Sequence, residues 1–90
     1  MIKRRCICIP YVVNNISKTY IYNKFKNLNL GIIDKIDCIY KKDHKLVYIY
    51  FKRWFSSEKA ITTKNKLLNG ETIYIIYDSG IWKCSISVKN

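Results

Sequence analysis

Tyr48 and Tyr50 alternate through residues 46–51, the densest β-forming run of the chain, and Tyr74 stands in a second such run at 72–77. Alternate residues of a strand point to one face, so Tyr48 and Tyr50 share a face with Leu46, opposite Val47, Ile49 and Phe51. A tyrosine ring on an open sheet face offers a flat π-surface to a nucleobase, worth about 1–3 kcal/mol per base and nearly indifferent to which base it is. Cations are close in sequence. Lys45, Lys52 and Arg53 flank the run, Lys35 precedes it, and Lys3, Arg4 and Arg5 cluster before Cys6 and Cys8. Such groups hold phosphates, Arg with a two-pronged fork. The competing readings are structural: tyrosine favours half-exposed sheet surface for packing reasons, and a basic terminal cluster is often a solvated tail. Trp54 beside Lys52 and Arg53 either joins ring to cation in a loop or packs under the helix that follows.

The charge balance favours a polyanionic partner. Lys and Arg number 17 against 6 Asp and Glu, a net charge of +11 on 90 residues. A chain so charged repels itself, and the usual return on that cost is attraction of a polyanion. An AT-rich genome would enrich Lys, Asn, Ile and Tyr but does not account for the scarcity of acids. Catalytic chemistry lacks its parts. The single histidine, His44, lies in a lysine-rich stretch with no paired carboxylates, and there is no glycine-rich phosphate cradle. The four cysteines, Cys6, Cys8, Cys38 and Cys84, include no C-x-x-C and lie at no zinc-finger spacing from His44. No catalytic residue, metal site or cofactor is therefore expected. Free thiols in a reducing compartment are expected, with a disulfide to Cys84 left open and one between Cys6 and Cys8 ruled out by strand geometry.

The elements that must position these residues follow from periodicity. Residues 4–13 read as a strand whose ladder is interrupted or ends at Pro10. Ser17 caps a helix running to about Asn29, with Ile21, Phe25 and Leu28 on one face and Gly31 at its stop. Residues 32–40 return to period two, Ile36, Cys38 and Tyr40 opposing Asp37 and Ile39. Residues 41–45 form a polar hairpin loop, and 46–51 the next strand. Ser56 or Ser57 caps a second helix, with Glu58 in its first turn, ending at Asn69 and Gly70. Residues 72–77 form a further strand, 78–80 a turn, and 81–88 a last strand. The whole is one α+β domain, residues 1–90, in the ferredoxin-like β-α-β-β-α-β order with two helices on one face of an antiparallel sheet. Its core is 4–77, and 81–88 is an appended strand. No run approaches the roughly 20 apolar residues of a membrane span, and the apolar stretch after the basic start is too short for a signal sequence. An intracellular, soluble protein is expected.

Over residues 4–77 the chain resembles the RNA-recognition motif (RRM). The marks are Phe25 closing the first helix, Gly31 before Ile33, a strand ending at Phe51, Ala60 in the second helix, and Leu68, Asn69 and Gly70 before Ile73. More narrowly, Cys8, Ile9 and Pro10 with Val12, the run from Phe51 to Phe55, and Ile75, Ile76, Tyr77 and Asp78 look like short RRM-like proteins of large DNA viruses. That would place the chain in host cytoplasm or a virion. The family's third-strand signature is K/R-G-F/Y-G/A-F-V-x-F/Y. Here His44, Lys45 and Leu46 replace the basic residue, glycine and first stacking ring, Tyr48 keeps the second, and Cys8 replaces the first-strand aromatic. The resemblance implies binding of single-stranded nucleic acid, RNA favoured over DNA, with low sequence specificity. The site would comprise Tyr48, Tyr50, Tyr74, Lys3, Arg4, Arg5, Lys45, Lys52 and Arg53. The alternative is a protein-interaction or virion structural module, with a partner or a second copy held by the sheet face or the C-terminal strand.

Overall fold

The computed structural model describes residues 4–78 and 80–89. Seven elements follow in order: β1 (Arg4–Val13), α1 (Lys18–Asn27), β2 (Gly31–Tyr40), β3 (His44–Trp54), α2 (Glu58–Leu68), β4 (Ile73–Tyr77) and β5 (Gly80–Lys89). The fold is α+β, a five-stranded sheet in the order β2-β3-β1-β5-β4 with two helices. Every neighbouring pair is antiparallel.

That order corrects one expectation. Residues 81–88 are not appended to a finished sheet. β5 lies between β1 and β4, so β4 is displaced to an edge and runs in the same direction as β1. β4 ends at Tyr77 opposite Gly80, so β5 returns alongside β4, and its pairing with β1 fixes it on β4's inner side. β5 then buries more than an outer strand would. Trp82 is 1% exposed, stacked on Tyr77 at 4.4 Å, parallel to Phe25 at 6.3 Å and edge-on to Tyr20 at 6.2 Å.

One face of the sheet carries the core. Ile7 and Ile9 of β1, Ile36 of β2, Val47 and Ile49 of β3, and Trp82 and Cys84 of β5 pack with Ile21 and Phe25 of α1 and Leu67 of α2. Both helices therefore cover that face. Their starts follow from hydroxyl capping: Ser17 accepts the Tyr20 N–H at 3.0 Å, and Ser57 accepts that of Ala60 at 3.3 Å. The end of α1 differs from expectation. Asn29, not Gly31, adopts the left-handed conformation, with φ of 56°. Gly31 instead opens β2 beside Arg53 and Trp54, where an added Cβ would lie 2.9 Å from the Trp54 Cα. At α2 the left-handed residue is Gly70, φ 84°.

Pro10 interrupts the ladder without ending the strand. The β1–β3 register steps from Ile9↔Val47 to Val12↔Lys45, so Pro10 and Tyr11 oppose Leu46 alone. A bulge here absorbs the missing N–H donor. The continuation of β1 to Val13 draws His44 and Lys45, expected in the hairpin loop, into β3.

Candidate nucleic-acid interface

Because Ile7, Ile49 and Ile36 form one row on the core face, the next residues along each strand turn away from the helices. Asp37, Tyr48, Cys8 and Ser85 thus stand abreast across β2, β3, β1 and β5. Lys35 and Tyr50 are abreast in the next row. At the other side of the face Tyr74 is abreast of Lys83, and Ile76 of Ile81.

These positions fare differently. Tyr74 is 62% exposed and Lys83 is exposed beside it. Tyr48 is half-buried against the Cys8 thiol; burial first, and the thiol second, raise the pKa of its hydroxyl above the ordinary tyrosine value. Tyr50 corrects an expectation. It is 4% exposed, with the Lys35 ammonium 4.9 Å from its ring centroid, so its ring has no free surface for a base. Lys35 also pairs with Asp37 at 3.7 Å.

The cations divide in the same way. Lys45 is 2% exposed; its ammonium donates to the Ile16 carbonyl and lies 5.3 Å from the Tyr40 ring centroid. The expectation that it holds phosphate is corrected, because Lys45 alternates with Val47 and Ile49 on the helix side of β3, opposite Val12. Arg5 is exposed but alternates with Cys6, and it lines a cavity with Phe51, Trp54, Lys64 and Leu67 on the helix side. β1 is the central strand, so Arg4 and Arg5 lie away from both sheet edges. Arg4 pairs through its backbone with Lys89, and Lys3 lies outside the described residues. Lys52 and Arg53 are exposed at a register shift near the end of β3, where Ile32↔Arg53 is followed by Ile33↔Phe51. Trp54 packs on Phe51 at 4.6 Å and lines that cavity with Leu67 of α2, so it follows the second of its two readings, packing by the helix that follows.

Sequence reasoning placed a last strand at 81–88 but named none of its side chains as part of the site. Lys83, Ser85 and Ser87 line its outward side, Lys83 exposed and both serines half-buried. The signal was present: Trp82, Cys84 and Ile86 alternate with them in period two. The arrangement offers a ring, an ammonium and two hydroxyls on one face, a set suited to a base and its phosphate. Among the described residues no three His, Cys, Asp or Glu side chains gather as a metal site would need, and no helix is long and apolar enough to cross a membrane. Comparison with family models, curated proteins and solved structures finds no match.

Proposed function

We propose that this chain is a non-catalytic, RRM-like module that binds single-stranded nucleic acid, RNA before DNA, with little sequence preference. The RRM-like reading of the fold rests on β3 lying between β1 and β2, the split β-α-β arrangement, with both helices on one face. The functional reading is carried by one observation: the exposed Tyr74 ring stands directly beside the exposed Lys83 on the face away from the helices. The surplus of cations supports it. Binding is centred on the β4–β5 half of the face, with Tyr48 contributing from the middle and Lys52 and Arg53 from one end. Tyr50 and Lys45 take no part.

The test is fluorescence anisotropy with single-stranded RNA, single-stranded DNA and duplex across a salt series. Log K for single strands should fall against log salt by about 0.7 per phosphate neutralised. Tyr74→Ala should weaken binding by about 1–3 kcal/mol without lowering stability. Lys83→Ala should make the slope shallower by about 0.7. Affinity that ignores salt, or a Tyr74→Ala variant that binds like the parent, removes this reading.

A further inference from the structure

β4 lacks the devices that ordinarily stop a sheet edge from pairing. Its residues, Ile73, Tyr74, Ile75, Ile76 and Tyr77, include no charge and no proline, and its ladder to β5 runs without a register shift. The opposite edge is guarded. β2 carries Asp34, Lys35 and Asp37, and its ladder with β3 is broken by two register shifts. A flat, apolar, uncharged edge is a template for another strand, and Ile76, at 75% exposure, is the barest large hydrophobic side chain among the described residues.

We propose that β4 pairs antiparallel with β4 of a second copy, about a twofold axis at Ile75. The strand is complementary to itself in that register. Ile75 meets the partner's Ile75, Ile73 meets the partner's Tyr77, and Tyr74 meets the partner's Ile76, so the barest side chains of both copies gain apolar cross-strand neighbours. Charge supports the same register. It sets Asp78, the exposed acid after β4, opposite the partner's Thr72. There Lys59 and Lys66 of α2 line a groove with Thr72 and Ile73, and the relation holds in both directions. Strands this short bury far less than the roughly 1,200–2,000 Å² of a standard interface, and each copy carries a charge of +11. The dimer is therefore weak, and it tightens as salt screens the repulsion. Joining the sheets at their edges leaves the outward face open, so two Tyr74 and Lys83 pairs lie on one continuous surface.

Sedimentation equilibrium of the whole chain, free of nucleic acid, tests the proposal over a wide concentration range at low and high salt. A monomer–dimer equilibrium that shifts toward dimer with rising salt is expected, the opposite of the salt response of nucleic-acid binding. Ile76→Lys should weaken association at least tenfold, while Ile39→Lys, at an exposed position on the β2 edge, should leave it unchanged. Asp78→Lys should also weaken association, and adding Lys66→Glu to that variant should restore it. A monomer at every concentration and salt overturns the proposal. So does association that survives Ile76→Lys and Asp78→Lys, or that Ile39→Lys weakens equally.

Discussion

Lys45 and Tyr48 lie three residues apart on β3, and the face each takes decides what it can do. Lys45 points to the helix side, where its ammonium satisfies the Ile16 carbonyl. Lys45→Met keeps the aliphatic stem and removes the charged donor, so it should cost about 1–3 kcal/mol of stability by leaving a part-buried carbonyl unpaired. The salt slope of nucleic-acid binding should stay as it was. A shallower slope with unchanged stability, from urea melts and anisotropy together, would return Lys45 to the binding surface. Cys84 gives a pH test. Burial pushes its thiol up to about 12 from 9.0, with Cys8 the smaller cause. The unfolded chain therefore loses this proton first as pH rises. Stability from this site is complete below about pH 9 and is lost as pH climbs toward the folded value. Urea melts from neutral pH to about pH 10 should show a smaller alkaline loss in Cys84→Ala than in the parent; equal losses would mean the thiol is not buried.

At the scale of elements, the sequence was most legible where a pattern is self-contained. The alternation of residues 46–51 set the faces of β3 correctly, and Ser17 and Ser57 announced the helix starts through hydroxyl chemistry that needs no tertiary partner. What alternation cannot state is which strand lies beside which. The polar and apolar rhythm of β5 marks its two faces, but nothing within it says that it enters between β1 and β4. Exposure failed for a related reason. Tyr50 has the right face for a platform, yet Lys35 across the strand pair lies over its ring, and that contact depends on the β2–β3 register. Gly31 was misread as a helix stop because glycine serves two needs, positive φ and close approach. Here Asn29 meets the first and Gly31 the second. Gly31→Ala should therefore destabilise by about 1–3 kcal/mol through overpacking against β3, while Asn29→Gly should be neutral or slightly stabilising. Thermal melts of the two variants check this; reversed effects would put the close approach at position 29.

The whole molecule is thin relative to the reach of its own charge. Its principal extents are 36 × 34 × 22 Å, and its surplus is +11. At about 0.01 M salt the screening length is about 30 Å, so cations on opposite sides of such a body repel one another; at about 0.15 M it is about 8 Å, and only near neighbours do. Stability should therefore rise with sodium chloride, most of the gain falling between those two concentrations and little above. A polyanion should supply the same stabilisation at low salt by binding only the folded state, and heparin serves as a sequence-free probe. Uncharged dextran at equal mass should do little, which separates charge neutralisation from crowding. The measurement is the midpoint of thermal unfolding at each salt, with and without polyanion. A midpoint flat across the low-salt range would mean the cations are already compensated within the fold. No free surplus would then remain to draw a nucleic acid to the Tyr74 and Lys83 face.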